Sequence, residues 1–431
     1  MSAMTANANV TASEYDKDEL VPPKWLDKAF FERVLQPPKS SENVKVANIT
    51  IQPATKKGEH FASVMYRVHV TFTLSRDCGA TQRQQNKSLI VKTLPELQGV
   101  KQRLLQDSKL FETEIGIYTE VVPKLEEALR LTGEEVQFGA NCLYNALTPV
   151  KVLVFEDLTQ LGYEIVRKRS LTLTEIRAAY RKLAKWHAAS YKLAKEHTSI
   201  FEKYSQSFMT IPYIVNSSFI TSGIENFIGM LDSVPSLVAY KPYFQQLQPD
   251  WAVKCRATYT EYFLNPQQQT HYGICHGDFL VNNLMFKHNS VSGELADVLL
   301  VDYQLTYMGP LVNDLLYAFV MLYTAEQRAK HHEALLEYYY SNFVQALEKL
   351  GYKAGFVNFE IFQEQFKRQK ILALFLLLSF LPIRYALSAG LVDRDHLMAT
   401  DEERRPLYYD KNYIAELHNL LPMYLRLGYL Q

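Results

Sequence analysis

His271-Tyr-Gly-Ile-Cys-His276-Gly277-Asp278-Phe-Leu-Val-Asn282-Asn283-Leu-Met-Phe286, with Val298-Leu-Leu-Val-Asp302-Tyr-Gln304 downstream, decides the reading of this chain. Asp278 and Asn283 lie five positions apart on one short loop. A loop of that length brings a carboxylate and an amide oxygen to one small volume. Met285 to Leu299 reads as a hairpin with Ser292-Gly293 at its turn. Its second strand is apolar and ends in the carboxylate of Asp302.

His276-Gly277-Asp278 with Asn283 forms H-G-D-x-x-x-x-N. Protein kinases carry H-R-D-x-x-x-x-N, in which the Asp accepts the substrate proton and the Asn binds magnesium. Asp302 then stands where kinases keep the magnesium-binding Asp of D-F-G. The pattern assigns Asp278 as catalytic base and Asn283 and Asp302 as magnesium ligands. Asn282 fails the offset from Asp278.

Outward from the loop, the first third reads as strands. Val64, Tyr66, Val68, Val70 and Phe72 alternate with period two, Gln82 to Lys87 reads as a hairpin loop, and Ser88 to Lys92 is a second strand. Leu104 to Leu131 carries a helix pattern closed by Gly133. Strands follow near 142–146 and 152–155, and the chain is mostly helical beyond Leu158. Thr172 or Thr174 caps a helix to about His197, with Leu173, Ile176, Tyr180, Leu183, His187 and Tyr191 on one face. Before the strands, Trp25, Phe30, Phe31 and Val34 recur at helical spacing up to Pro37-Pro38. The expected fold is α+β, a bilobal protein-kinase-like fold. Its divisions are 1–45 (extension and helix), 46–158 (sheet plus helix) and 159–431 (helical lobe with the catalytic loop).

Within this frame, Lys92 ends the strand Leu89-Ile-Val-Lys92 and suits the α- and β-phosphates of ATP. Its partner is expected on the following helix. Phe111, Ile115, Tyr118 and Val122 define that helix's buried stripe, which Glu114 flanks more closely than Glu112. Lys57-Gly-Glu-His-Phe-Ala-Ser63 takes the place of a phosphate-covering loop with only one glycine, and Ser63 offers a hydroxyl. Glu156 (carbonyl) and Leu158 (amide) suit backbone contacts to adenine. Asp314 and His276 read as braces of the catalytic loop.

Composition limits the alternatives. The chain has 431 residues, 48% of them hydrophobic, and equal counts of 46 basic and 46 acidic residues. That balance gives no electrostatic case for nucleic-acid or anionic-membrane binding. Cys78, Cys142, Cys255 and Cys275 form no C-x-x-C pair, which suits a reducing, cytoplasmic compartment. The first twenty residues lack the apolar core of a secretory signal. The apolar run Ile371 to Pro382 is shorter than the roughly twenty residues a spanning helix needs, and reads as a buried helix. His331 and His332 read as surface residues.

H-G-D-F-x-x-N-N-x-M-F followed by V-D-Y-Q, with Val154-Phe-Glu-Asp-Leu158, Gly309-Pro310 and Asp314, resembles the arthropod ecdysteroid-kinase-like family. That family is also described as choline-kinase-like, a branch of the aminoglycoside and choline kinase superfamily. The resemblance runs from about Trp25 to the end. It implies ATP- and Mg2+-dependent phosphorylation of a hydroxyl on a small molecule, with ecdysteroids the namesake acceptors. The F-x-x-E-x-x-x-Y pattern of the family also selects Glu114. Two alternatives stand beside it: a non-catalytic, pseudokinase-type ligand-binding protein, and a choline/ethanolamine-type kinase. A protein kinase fits less well, because no A-P-E segment follows Asp302. The second lobe is rich in aromatics, including Phe208, Tyr213, Phe219, Phe227 and Tyr240, which suit a lipophilic alcohol as partner and equally a quaternary ammonium. Oligomeric state is not legible.

Overall fold

The structure, a computed structural model, describes residues 20–37, 42–55, 63–76, 83–95, 102, 105, 108–352, 358–388 and 400–431. Residues 57–62 of the expected phosphate-covering loop and Cys78 lie outside them. The chain forms two compact units, residues 1–105 with 141–160, and residues 106–140 with 161–431.

The first unit is built on an antiparallel sheet of order β1-β2-β3-β5-β4. Its strands are β1 (Glu42–Pro53), β2 (Val64–Arg76), β3 (Arg83–Thr93), β4 (Cys142–Ala146) and β5 (Val152–Glu156). The period-two apolar residues of β2 all turn to one buried face. There they meet Val44 and Val46, Leu89 and Val91, Val152 and Val154, and Phe30, Phe31 and Val34 of helix α1 (Lys28–Leu35). Asp27 caps that helix, its Oδ1 accepting from Phe30 N at 2.8 Å.

One expectation is corrected here. Gln84 to Lys87 are not a loop but the start of β3, paired with Val70 to Thr73. Their polar side chains belong to a solvent-facing extension of the hairpin, where the ladder supplies the backbone bonds. Thr71 Oγ1 donates to Asn86 Oδ1 across the pair at 2.8 Å.

The second unit is mainly helical. It includes the helix 110–130, which runs as α2 (Leu110–Gly116), a π turn (Ile117–Val121) and α3 (Val122–Arg130). The short strand β6 (Tyr163–Glu164) precedes α4 (Leu173–Glu196), α5 (Phe219–Asp232) and α6 (Trp251–Leu264). Then come β7 (Tyr272–Cys275), β8 (Leu284–His288), β9 (Leu295–Leu300) and β10 (Tyr307–Pro310). After them follow α7 (Val312–Met321), α8 (Ala325–Lys349), α9 (Lys370–Phe375), a π turn (Leu376–Phe380), α10 (Leu381–Ser388) and α11 (Lys411–Arg426). Among the described residues one helical stretch, Lys370–Leu387, is long and apolar enough to cross a membrane, yet 61% of it is buried inside the protein. Leu372 to Leu378 and Leu381 are core residues, as expected of the run from Ile371. His332 is half-buried and not fully a surface residue: its ring lies 4.6 Å edge-on from that of Phe319, and burial lowers its pKa to about 4.

Thr172, not Thr174, caps α4. Its Oγ1 accepts from Glu175 N at 3.2 Å, while Glu175 Oε2 accepts from Thr172 N at 2.8 Å. Arg169 adds a two-pronged pair to the same carboxylate at 2.7 and 2.6 Å. Burial alone would raise the Glu175 pKa, but Arg169 and Thr172 outweigh it and hold it at about 2. A depressed carboxylate stabilises the fold above its unfolded pKa of 4.5 and loses that effect as the pH falls toward 2. Glu175→Gln is therefore expected to cost about 1–2 kcal/mol at pH 7. The gap from the parent protein should close progressively below about pH 5, as read from Tm in a pH series.

Candidate active site

The loop after β7 is fixed by hydrogen bonds at its turn. Gly277 has φ +80°, and a Cβ there would stand 2.1 Å from the carbonyl oxygen of Leu305. Only glycine satisfies both the left-handed backbone and the close approach. The Asp314 carboxylate, in the first turn of α7, accepts from His276 N at 2.6 Å and Gly277 N at 2.9 Å. It also bonds Nε2 of His187 from α4 at 3.0 Å. Thr306 Oγ1 donates to His276 O at 3.2 Å. β10 pairs antiparallel with β7 beneath the loop, from Tyr307 opposite Cys275 to Pro310 opposite Tyr272. Asp314 thus braces the loop backbone, and His276, fully buried, fills the space under it. Burial lowers the His276 pKa, against the opposing fields of Asp314 and Asp302. The ring is neutral near pH 7 and accepts weakly through Nδ1 from Asp278 N at 3.4 Å.

Asp278 is half-buried, and both of its carboxylate oxygens are engaged. Asn283 Nδ2 donates to Oδ2 at 2.8 Å and to the Asp278 carbonyl at 2.9 Å. Tyr317, on α7, donates its hydroxyl to Oδ1 at 2.6 Å. The hairpin β8–β9 brings Asp302 back to this loop. Leu284 pairs with Leu300, and Val301 N donates to Asn283 O at 3.1 Å. Asp302 adopts a left-handed backbone (φ 67°) at the strand end, a conformation uncommon for a residue with a side chain. Gln304 Nε2 donates to its Oδ2 at 3.4 Å. Since Nδ2 of Asn283 is committed to Asp278, its amide oxygen is the atom left for another partner. An amide oxygen and a carboxylate are the kinds of oxygen donor that suit a hard divalent cation such as magnesium. Among the described residues no three His, Cys, Asp or Glu side chains converge on a metal position. A cation held partly by phosphate oxygens needs no such nest.

Glu114 is buried on α2, 1% exposed, whereas Glu112 is half-buried. The helix packs on the turn Tyr303–Leu305 that follows Asp302. Tyr303 in turn stacks flat on Trp186 with ring centroids 5.1 Å apart. Asp278, Asn283, Asp302 and Glu114 are thus all carried by the second unit.

The first unit carries the other expected site residues. Lys92 is 2% exposed. It points away from the face of Leu89 and Val91, with Met65 of β2 and Leu153 of β5 opposite it across the ladder. Ser63 is buried just before β2. Glu156 ends β5, its Oε1 accepting from Asn141 N at 2.9 Å, and Leu158 is buried at the start of a 3-10 turn. Asp157 between them is no solvated acid. It is 3% exposed and accepts from Ser88 Oγ at 2.7 Å, Arg67 Nε at 2.8 Å and Thr159 Oγ1 at 2.7 Å. Burial alone would raise its pKa, but these donors hold it below the ordinary carboxylate value. It ties β2, β3 and the segment after β5 together.

Residues 57–352 match the ecdysteroid kinase-like family. The chain belongs to that family. The coarse activity of the ecdysteroid kinase-like family, kinase-type phosphotransfer to a small molecule, agrees with the loop geometry. None of the curated proteins matches the chain. Similar solved structures include a microcompartment-associated aminopropanol kinase, 14% identical over 94% of this chain and 99% of that one, with a TM-score of 0.42. A choline/ethanolamine kinase family protein from Mesorhizobium loti is 12% identical over 81% and 88%, with a TM-score of 0.31. An ADP-bound aminoglycoside phosphotransferase is 12% identical over 88% and 99%, with a TM-score of 0.33.

Two residues that matter here drew no role from sequence. Tyr317 follows Asp314 by three positions on α7, so both face the loop carrying Asp278. That spacing was the available signal. His187 stood on the buried face of α4 without a partner to give it meaning. Asp314→Ala is expected to destabilise the protein by about 3 kcal/mol or more, since it strands two backbone N–H groups and the His187 ring. Gly277→Ala should cost at least about 2 kcal/mol through backbone strain and overlap. Urea unfolding of each variant checks both values.

Proposed function

We propose that this protein is an ATP- and Mg2+-dependent kinase that phosphorylates a hydroxyl of a lipophilic alcohol, of ecdysteroid or xenobiotic-like type. The observation that carries the reading is the Asp278–Asn283 pair on a backbone braced by Asp314. Such a carboxylate is preorganised to orient a hydroxyl and receive its proton. The acceptor oxygen bonds to the γ-phosphorus as the bond from the bridging oxygen breaks. The acceptor proton passes to Asp278, and ADP leaves with the electron pair. Asn283 and Asp302 would hold magnesium, which neutralises charge developing on the phosphate oxygens. Lys92 would hold the α- and β-phosphates, with Glu114 orienting the nucleotide-binding apparatus. Ser63 would add a hydroxyl to the phosphates, and the backbone of Glu156 and Leu158 would bond adenine.

The acceptor class is supported by the family and by the aromatic density of the second unit. Phe208, Phe219, Phe375 and Phe380 form one cluster, with centroid separations from 5.4 to 6.4 Å. Phe380 also meets the Tyr317 ring at 5.7 Å. The cluster is core packing that reaches the base through Tyr317, so the lipophilic acceptor rests chiefly on the family. We assign the protein to the cytosol, where Cys142, Cys255 and Cys275, all free thiols, stay reduced.

Mg-ATP at a hundred times its Kd should stabilise the folded protein by about 2.7 kcal/mol, and Asp302→Asn should remove the magnesium-dependent part. No thermal shift at millimolar Mg-ATP would count against the nucleotide site. Turnover is tested with ecdysteroid, choline and a glycoside, scoring phosphate esters by mass. Asp278→Asn should lower kcat by about 10²–10⁴, and Glu114→Gln should lower turnover with the fold intact. Efficient phosphorylation of choline with none of ecdysteroids would replace the lipophilic acceptor with a choline-type one.

A further inference from the structure

Tyr317 is 6% exposed and by burial alone is a core tyrosine. Three other buried tyrosines of the second unit place their hydroxyls on backbone carbonyl oxygens. Tyr408 donates to Leu378 O at 2.7 Å, Tyr413 to Leu377 O at 3.1 Å and Tyr303 to Phe138 O at 3.2 Å. Tyr317 instead donates to Oδ1 of Asp278 at 2.6 Å, a short, charge-assisted bond to the carboxylate of the catalytic loop. Asn283 holds the other oxygen, Oδ2. With a donor on each oxygen, the carboxylate plane is held against rotation about its bond to the Cβ.

The phenol is itself held at both ends. Its backbone lies on α7, three residues after the Asp314 that braces the loop. Its ring packs edge-on against Phe380 at 5.7 Å, interplanar angle 65°. Phe380 closes the π turn Leu376–Phe380, and single π turns inside α-helices recur at functional sites. The turn is packed closely against α5: a Cβ on Gly223 would meet Ser379 Oγ at 2.4 Å. Phe208 and Phe375 back the Phe380 ring at 5.5 and 5.4 Å.

We propose that Tyr317 is a positioning residue for phosphoryl transfer, its hydroxyl locking Oδ1 of Asp278 in the orientation that receives the acceptor's proton. The proposal rests on the kinase reading above. It goes beyond the motif, because the H-G-D-x-x-x-x-N pattern supplies the donor to only one carboxylate oxygen. It also gives the π turn a purpose, since Phe380 keeps the phenol from swinging off the carboxylate.

The test is Tyr317→Phe, which keeps the ring on Phe380 and removes the hydroxyl alone. kcat for the phosphorylated alcohol should fall about ten- to hundredfold, the usual worth of a hydrogen bond to a charged group. KM for Mg-ATP should stay within about twofold and Tm near that of the parent, a split that a merely structural role would not produce. Phe380→Ala should give a smaller fall in kcat in the same direction. A second arm needs no turnover. In protein labelled with 13Cζ-tyrosine, the resonance missing from Tyr317→Phe should shift when Asp278→Asn replaces the charged acceptor with a neutral one. An active parent protein with kcat unchanged in Tyr317→Phe overturns the proposal and leaves the kinase reading standing. So does a Tyr317 resonance indifferent to Asp278→Asn. A parent protein that binds no Mg-ATP and phosphorylates no alcohol overturns the reading, and the proposal falls with it.

Discussion

The carboxylate of Asp314 is the constraint on which the loop carrying Asp278 depends. The loop must leave β7, turn through a left-handed glycine and put Asp278 at the surface of a dry interior. Its first two amides then face inward, beside a His276 ring with no solvent access. Buried amides without partners would cost about 1–3 kcal/mol each. Asp314 accepts both, and the first turn of α7 gives its negative charge a favourable position in the helix field. Every other feature of the loop, from the Leu305 contact at Gly277 to the β7–β10 pairing, is compatible with that single anchoring point.

The second constraint is register. Asp302 reaches the loop only because β8 and β9 pair from Leu284 opposite Leu300, which brings Val301 N onto Asn283 O. Side chains alternate along a strand, so a slip of one residue would turn the strand-end carboxylate to the opposite face. The hairpin tip is free to vary in length; the base of the hairpin is not. The left-handed backbone of Asp302 is the local cost of leaving the strand with the carboxylate aimed at the loop.

What the sequence discloses follows from this. Asp278, Asn283 and Asp302 are legible because spacing on a short loop and a strand end is a geometric statement. Glu114 is legible because helical periodicity separates it from Glu112, and its burial agrees. Tyr317 is hidden because an aromatic in an apolar helix is indistinguishable from core until its hydroxyl finds an acceptor. Asp157 is hidden for the opposite reason: an acid at a strand end looks solvated, and only the distant Arg67 and Ser88 turn it into an internal brace. Gln84 to Lys87 mislead because their polarity reflects a solvent-facing hairpin arm, where ladder bonds and not apolar contacts decide the conformation. In each case the missing term is a partner far away in sequence.

The proton directions behind the loop can be assigned from the same anchor. An ionised carboxylate only accepts, so the His187 Nε2 that meets Asp314 at 3.0 Å must carry a hydrogen. The other ring nitrogen, Nδ1, lies 2.6 Å from the hydroxyl of Tyr339 on α8. Burial pushes the Tyr339 phenol well above its ordinary pKa, so that hydroxyl keeps its proton. A protonated phenol can donate to Nδ1 while the hydrogen on Nε2 goes to the carboxylate. Donation from Tyr339 through His187 and donation from the two loop amides therefore converge on the Asp314 carboxylate, which joins α8, α4 and α7 to the backbone beside Asp278. Each donor meets an acceptor, and each supporting helix contributes one group. That is the arrangement expected of a supporting shell that holds a backbone still beneath the side chains it presents.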